Sequence, residues 1–191
     1  MELLETMEQA ANGIISSLKQ HLTNFYVLPF PETVVLKGRN GTPNYEYIKE
    51  HNMKVFELQT AGGNIVLHKG DVGIAIVGEY QYVHDRANEF LNNFKLFLES
   101  KGLVVSKDNN DVLANGYKVC SFSANYIKQY DWTFFTFGFS INVDLNLIKN
   151  ICNKPMVKIP KGLSEFGITQ EQVLVWLENW LSENFKEGEE V

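Results

Sequence analysis

The chain has 191 residues, which is enough for one domain with a substantial core, and its 45% hydrophobic and 21% charged residues are typical of globular proteins. Its net charge of −6 and its two arginines, Arg39 and Arg86, argue against a nucleic-acid partner, because phosphate contacts need clustered Lys and Arg. The sequence contains no apolar run of the roughly 18 residues that a membrane span requires, and its acidic start is unlike a signal peptide. We therefore expect a cytoplasmic protein that binds neither nucleic acid nor membrane.

The first part of the chain mixes helical and extended patterns. Apolar residues recur at three- and four-residue spacing from Leu3 to Leu22, which predicts an opening helix. A proline-punctuated stretch over 28–31 reads as irregular. The elements predicted next are a strand over 33–36, a loop over 38–41, a short helix opened by Pro43 and ending at His51, a strand over 54–58, a turn over 60–64, and strands over 65–68 and 72–78.

The second part begins with the clearest helix of the sequence, over 83–101, which Gly102 ends. Asn115-Gly116 is a strong signal for a tight hairpin turn within 112–125. The other elements predicted here are a strand over 103–106, a polar loop over 108–110, a long strand over 132–143, a helix capped by Asp144, a loop over 154–167, a final helix behind a Thr169/Gln172 capping box, and a frayed tail over 185–191.

The order and number of these elements indicate a fold class. Strands outnumber helices, and hairpin-like turns join several of them. This pattern predicts an α+β fold with a mixed, mostly antiparallel sheet and helices packed against it. The chain shows no internal repeat and no domain boundary, so we expect a single domain over 1–191.

One cation stands out in the predicted hairpin. Lys118 follows the turn among apolar and small neighbours. A lysine in a half-buried strand is unusual and requires a structural or functional explanation. It is either an edge-strand charge that opposes aggregation or an ammonium directed into a pocket at an anionic or carbonyl ligand. The two cysteines, Cys120 and Cys152, lack metal-ligand spacing, so we expect reduced, buried thiols.

Two segments together resemble the lipoate–protein ligase branch of the biotin/lipoate ligase superfamily. Residues 34–40, followed by Glu46 and by 61–68, are similar to a strand ending in Gly-Arg-Asn, a downstream Glu and a Ser-Gly-Gly-Gly-x-Val-Tyr-His-Asp motif. Residues 110–118 are similar to the Asn-Asp…Gly-x-Lys signature. The resemblance spans roughly 30–165 and lacks the biotin-type glycine motif, so biotin is the less expected acid.

The resemblance implies both a fold and a chemistry. The fold is related to class II aminoacyl-tRNA synthetases, with the site on one face of a mixed sheet. The activity is ATP- and Mg²⁺-dependent conversion of a medium-chain acid, lipoate or octanoate, to an acyl-adenylate. The acyl group is then transferred to a lysine of a lipoyl-type carrier domain.

The resemblance also implies roles for individual residues. Lys118 is the expected catalytic residue, placing positive charge where the transition state gathers negative charge. The expected substrate-binding residues are Gly62, Gly63, Asn64, Ile65 and His68, and the expected nucleotide-binding residues are Arg39, Asn110 and Asp111, with Asp111 also holding Mg²⁺. The expected walls of an apolar acyl tunnel are Ile65, Leu67, Ile74 and Ile76.

The chain departs from the family pattern at several positions. Where the family has arginines before its glycines, residues 57–60 read Glu-Leu-Gln-Thr. Asn64 replaces the third glycine, Lys69 replaces the aspartate after the histidine, and Cys120-Ser121 replaces a glycine after the lysine. We also expect no accessory C-terminal domain, since the chain ends at Val191.

Two other functions fit the sequence. The first is an ATP-independent octanoyltransferase that uses the Cys152 thiolate as its nucleophile. The second is a non-catalytic binding or interaction protein on the same fold, for which the aromatic side chains expected at the surface are Tyr80, Tyr82, Tyr126, Tyr130 and Trp132.

Overall fold

A computed structural model describes residues 2–57, 62–152 and 155–184. Its strands are β1 (Glu2–Leu3), β2 (Asn24–Pro29), β3 (Val34–Lys37), β4 (Lys54–Glu57), β5 (Asn64–Leu67), β6 (Val72–Gly78), β7 (Val105–Asp108), β8 (Asp111–Ala114), β9 (Tyr117–Ile127) and β10 (Trp132–Phe139). Its helices are α1 (Met7–Gln20), α2 (Tyr45–Glu50), α3 (Tyr80–Ser100), α4 (Leu145–Ile151) and α5 (Gln170–Asn184), with a 3₁₀ turn at Leu163–Phe166. None of the helices within these ranges has the length and apolar character needed to span a membrane.

The strands form two sheets. The large sheet has the order β1-β2-β6-β10-β9-β8-β7, in which β1 and β2 are parallel and all other neighbours are antiparallel. The small sheet has the order β4-β3-β5, with β3 parallel to β4 and antiparallel to β5. The predicted α+β class with a mixed, mostly antiparallel sheet is confirmed.

Strand alternation gives the large sheet two different faces. One face packs against α3 and α5 and forms the main core. Its sheet residues include Ile74, Ile76 and Phe137, and Phe90 of α3 lies 4.5 Å from Phe137 between ring centroids. The other face packs against α1 and the small sheet, and we call it the cleft face. Helices α2 and α4 cover the outer side of the small sheet.

Local sequence signals account for most element ends. Asn115 and Gly116 have φ values of 50° and 82°, as a type I′ hairpin turn requires, so the predicted hairpin is confirmed. The side chain of Asp144 accepts from the backbone N–H groups of Asn146 and Leu147, which confirms it as the cap of α4. Thr169 and Gln172 form the predicted capping box before α5.

Other predictions of secondary structure need correction. The opening helix starts at Met7 rather than Leu3, because Thr6 and Gln9 form a capping box and Leu3 belongs to β1. The stretch predicted as irregular includes the end of β2, where Pro29 is tolerated as the last strand residue. The polar loop before β8 is a second tight turn, with Asp108 paired to Asp111. Parts of the turn predicted over 60–64, and the whole tail over 185–191, lie outside the described residues.

Candidate functional site

The cleft face of the large sheet has a floor of small residues near its centre. Ser121 pairs with Gly138 and Ser123 pairs with Thr136 across β9 and β10, and the two hydroxyl groups of the second pair are 2.8 Å apart. The floor consists of Gly73, Ala75, Ser121, Ser123, Thr136 and Gly138. A Cβ built on Gly138 would lie 3.5 Å from the Leu67 side chain of the small sheet. The floor therefore lies between the two sheets, where larger side chains would fill the space.

Lys118 lies at the end of this floor. A register shift between β8 and β9 pairs Lys118 with Leu113 and Cys120 with Val112. The irregularity places Val119 in the core on the α3 side, while Lys118 stays on the cleft face with Asp111. The Lys118 Nζ is 3.0 Å from Asp111 Oδ1, and the lysine side chain is 30% exposed. The sequence alternative of a mere edge charge is not favoured, since β9 is an interior strand.

Asp111 is the centre of a small ionic cluster. Its Oδ1 accepts from the hydroxyl of Ser121 at 2.9 Å and pairs with Lys118, while its Oδ2 accepts from Lys158 Nζ at 2.8 Å. Burial raises the pKa of the Asp111 carboxyl, but the hydrogen bond from Lys158 and the charge of Lys118 outweigh it and hold that pKa below its usual range. The carboxylate is thus ionised and has both oxygens engaged.

Lys158 comes from a segment that we call the strap, residues 155–162. The backbone N–H of Lys118 donates to the Ile159 carbonyl at 3.0 Å, and the N–H of Lys161 donates to the Lys118 carbonyl at 2.9 Å. Lys158 lies between two exposed neighbours, Val157 and Ile159, and its own side chain is only 20% exposed. Sequence reasoning treated the strap as a plain loop. Residues 156–161 read Met-Val-Lys-Ile-Pro-Lys and do not alternate between apolar and charged, so no local pattern marked Lys158 as the side chain that turns inward.

The glycine-containing segments that carried the resemblance contact each other. The N–H of Gly38 donates to the Gly63 carbonyl at 2.9 Å, and the N–H of Asn40 donates to the Gly62 carbonyl at 3.1 Å. A Cβ on Gly38 would lie 2.2 Å from the Gly62 oxygen, so only glycine permits this approach. Among the described residues other than its chain neighbours, no atom lies within 4 Å of a Cβ built on Gly63. The carbonyls of Gly62 and Gly63 are therefore used to join the two loops.

The residues after Gly63 have mixed surroundings. Asn64 pairs with Lys37 in the small sheet, and its buried Oδ1 has no hydrogen-bond partner. Ile65 is 38% exposed. Glu57, in the position where the resemblance expects arginine, forms a 2.8 Å ion pair with Lys37, and the hydrogen bond from Lys37 lowers the pKa of the glutamate. Its charge is thus matched locally by a neighbouring strand.

His68 is buried at a junction between two loops. Its Nε2 accepts from the backbone N–H of Asp144 at 3.1 Å, and its own backbone N–H donates to Asp71 at 2.8 Å. Asp71 is completely buried and also accepts from the N–H groups of Ile141 and Asn142. Through these contacts His68 joins the loops that contain Asp71 and Asp144. A role of His68 in substrate binding stays a prediction. Sequence reasoning missed Asp71, because two of its three backbone partners, Ile141 and Asn142, lie 70 and 71 residues away.

The residues predicted to bind nucleotide do not form one cluster. Asp111 lies beside Lys118, whereas Asn110 is exposed in the turn before β8 and gives its carbonyl to the Phe122 N–H. Arg39 is exposed in the loop after β3. Within the described ranges, no group of three or more His, Cys, Asp or Glu side chains is placed to hold a metal ion.

The predicted tunnel walls divide between the two faces. Leu67 lies on the cleft side against Gly138, whereas Ile74 and Ile76 point toward α3, so the predicted walls do not line one common space. Because side chains alternate along a strand, Gly73 and Ala75 are the residues of β6 that face the cleft.

The side chains invoked by the other two functions differ in burial. Burial raises the pKa of Cys152, which is half-buried, and that of Cys120, which is fully buried. Trp132 is 9% exposed and stacks on His21, so its prediction as a surface aromatic is wrong. Tyr80 and Tyr126 are exposed, while Tyr82 and Tyr130 are partly buried.

Several solved structures with a similar fold are described as lipoate protein ligases. LipL1 of P. falciparum, solved in complex with lipoate, superposes with a TM-score of 0.73 at 17% identity over 97% of this chain and 62% of its own. A bipartite lipoate protein ligase of Thermoplasma acidophilum, solved with its E2 lipoyl domain, gives 0.73 at 15% identity over 97% and 85%. Lipoate-protein ligase A bound with ATP gives 0.74 at 14% identity over 95% and 84%. The chain thus spans less than two thirds of LipL1.

Sequence comparison identifies the family. No curated protein sequence matches the chain. The family model described as Lipoyl protein ligase A/B catalytic domain matches residues 3–185, which is nearly the whole chain. Because this match covers nearly the whole chain, the chain belongs to the lipoyl protein ligase A/B catalytic domain family.

Proposed function

We propose that this protein is a lipoate-protein-ligase-like enzyme. It activates a medium-chain acid, lipoate or octanoate, with ATP to an acyl-adenylate and transfers the acyl group to a lysine of a lipoyl-type carrier domain. The observation that carries the proposal is the Lys118 ammonium at the end of the small-residue floor, held there by Asp111. The structural relatives support the same acid, nucleotide and carrier, because they are described as LipL1 in complex with lipoate, a ligase bound with ATP, and a ligase and its E2 lipoyl domain.

The geometry gives Lys118 a specific task. Formation of an acyl-adenylate places negative charge on the oxygens of the acid and of the α-phosphate. An ammonium that is already positioned by Asp111 stabilises that charge without reorganising during the reaction. Asp111 itself keeps the lysine side chain in one orientation, and Ser121 fixes the carboxylate in turn.

The floor and the glycine loop would hold the remaining parts of the substrate. We expect the acyl chain to lie over these small residues, with Leu67, which packs near Gly138, as an apolar wall. The open side of Gly63 would let an anionic group come close to the backbone. In this scheme Asn64 and Ile65 border the acid, and Arg39 and Asn110 reach the nucleotide from the rim.

The ionic cluster of Asp111, Lys118 and Lys158 is better suited to bind phosphate oxygens than Mg²⁺. Both oxygens of Asp111 already accept from lysine ammonium groups, so this carboxylate does not fit the predicted role of a magnesium ligand. We therefore derive no step through Mg²⁺. The ammonium groups suit the anionic oxygens of ATP.

We also propose that residues 1–191 act as one catalytic domain in the cytoplasm, with no nucleic-acid or membrane partner. The net charge of −6 and the two free thiols support this placement. An octanoyltransferase mechanism is not favoured, because burial raises the pKa of Cys152 and so disfavours the thiolate. The non-catalytic alternative loses one of its proposed anchors with the burial of Trp132.

Trapping the acyl-adenylate with hydroxylamine tests the proposal. The purified protein is incubated with ATP, Mg²⁺ and octanoate or lipoate, and the acyl hydroxamate is measured. We expect hydroxamate from the wild type and a loss of about 100-fold or more in Lys118→Met. Lys107→Met is the matched control, because Lys107 lies over the Phe122 ring on the α3 side of the sheet. Absence of hydroxamate from the wild type with either acid would reject the proposal.

A further inference from the structure

The ionic cluster contains a second lysine that none of the sequence motifs includes. Lys158 Nζ lies 2.8 Å from Asp111 Oδ2, 2.8 Å from the Asp108 carbonyl oxygen and 3.1 Å from the Asp108 carboxylate. The side chains of Asp111, Lys158 and Lys118 are 17%, 20% and 30% exposed. Water therefore screens their mutual interactions less than it screens surface ion pairs.

Lys118 and Lys158 both pair with Asp111, and this shared contact determines the charge that an incoming ligand meets. Lys118 and Asp111 alone would cancel, but Lys158 adds a second ammonium group to the same carboxylate, so the three side chains together keep one net positive charge. The Asp108 carboxylate pairs with Lys158 at 3.1 Å and brings the formal charge of the four side chains to zero, but it is 52% exposed, so water screens it more than it screens the other three. An anion that reaches Lys118 thus meets a more positive site than the Lys118–Asp111 pair alone would offer.

We infer that Lys158 is a second cation of this anion site, which keeps Asp111 from neutralising Lys118 and so leaves Lys118 able to bind the phosphate groups of a nucleotide. The inference rests on the proposed function and deepens it. The segment before the glycines, at 57–60, offers no cation of its own, and Lys158 supplies positive charge from the strap instead. The backbone hydrogen bonds between the strap and Lys118 hold the two lysines at a fixed spacing.

A purely structural role for Lys158 is the competing explanation. Its contacts with Asp108 and Asp111 also tie the strap to the turn between β7 and β8. The two roles differ in what removal of the Asp111 charge should do. If Lys158 acts by its charge, Asp111→Asn compensates for Lys158→Met, because Lys118 then remains as one unpaired positive charge. If Lys158 is a structural tie, the second substitution can only loosen the strap further.

The test is calorimetric titration of the folded protein and its variants with inorganic pyrophosphate. We expect Lys158→Met to weaken binding by roughly tenfold, Asp111→Asn to strengthen it, and the double variant Asp111→Asn/Lys158→Met to return to within about threefold of the wild type. Lys158→Arg should bind like the wild type. The matched control is Lys161→Met, on the same strap, whose ammonium lies over the rings of Tyr117 and Phe166 and should not affect binding.

The results separate this inference from the proposed function. A double variant that binds as weakly as Lys158→Met, or more weakly, would overturn the charge role of Lys158. Absence of pyrophosphate binding in the wild type and in Asp111→Asn would overturn it as well, whatever the hydroxamate assay gives. Binding that follows the expected order in proteins that form no hydroxamate would support the inference and reject the ligase activity.

Discussion

The contact between Gly38 and the glycine loop allows a sharp test of the site's architecture. A Cβ on Gly38 would lie 2.2 Å from the oxygen and 2.6 Å from the carbon of the Gly62 carbonyl. These are backbone atoms, so rotation of a side chain cannot relieve the overlap. In Gly38→Ala the two loops must separate, which weakens the Gly38–Gly63 and Asn40–Gly62 hydrogen bonds.

The expected cost follows from these contacts. Two backbone hydrogen bonds at about 1 kcal/mol each, together with the strain of an overpacked contact, give a loss of about 3 kcal/mol in the free energy of unfolding. For a domain of this size, such a loss lowers the unfolding midpoint by roughly 6 to 12 °C. Thermal and urea unfolding followed by circular dichroism measure it.

Gly63→Ala is the matched control for the fold and a probe of the site. Its Cβ would meet nothing within 4 Å, so the free energy of unfolding should change by less than about 0.5 kcal/mol. The same methyl group would occupy the space through which we expect the ligand to approach the backbone. We therefore expect the hydroxamate yield to fall by roughly 100-fold in a fully folded protein.

Either result can refute the reasoning. A Gly38→Ala protein that unfolds at the wild-type temperature would show that the two loops do not make the close contact described above. A Gly63→Ala protein with wild-type hydroxamate formation would show that the substrate does not pass along this side of the loop. Measuring both variants in both assays separates damage to the fold from obstruction of the site.

Three further predictions concern charges and thiols. Lys158 and Lys118 hold the folded-state pKa of Asp111 below its usual range despite burial. The stabilisation that Asp111→Asn removes should therefore be complete above about pH 4 and disappear as the pH falls through the folded-state pKa. Urea unfolding of both proteins from about pH 2 to 7 measures this stabilisation, and a difference in unfolding free energy that does not change with pH would contradict the prediction. Asp71→Asn should lower the free energy of unfolding by about 2 kcal/mol, because a fully buried carboxylate that accepts from three backbone N–H groups is lost; an unchanged urea midpoint would refute this. Cys120 should resist a thiol reagent such as DTNB until the protein unfolds, whereas Cys152 should react slowly in the native state, and rapid native modification of both would contradict their burial.

Short-range signals in the sequence predicted local structure well. The turn at Asn115-Gly116, the cap at Asp144 and the capping box at Thr169 each depend on residues at most three positions apart, and all are present. The same type of signal at Thr6 and Gln9 was overlooked, which is why the first helix was extended to Leu3. Strand β1 gave no such signal, since two residues become a strand only by pairing with distant β2.

Predictions that needed knowledge of the sheet faces were less successful. Strand β6 has helices or the small sheet on both sides, and almost all its residues are buried. Alternation of polar and apolar residues, which normally identifies the inner face, is therefore absent, so the sequence did not reveal that Ile74 and Ile76 lie on the α3 side and not on the face that meets Leu67. The contacts of Lys158 with Asp111, 47 residues apart, are equally invisible to a local pattern.

The departures from the family motif affect charge more than fold. The apolar faces of the large sheet are intact, so loss of arginines before Gly62 leaves the core unaffected. At Glu57 the chain instead pairs the carboxylate with Lys37 across the small sheet, which removes a charge that would repel phosphate. Where the strap meets β9, Lys118 and Lys158 bring two ammonium groups to the site. Because these two lysines share one carboxylate, the affinity of the site for anions should depend on the strap as strongly as on the motif lysine itself.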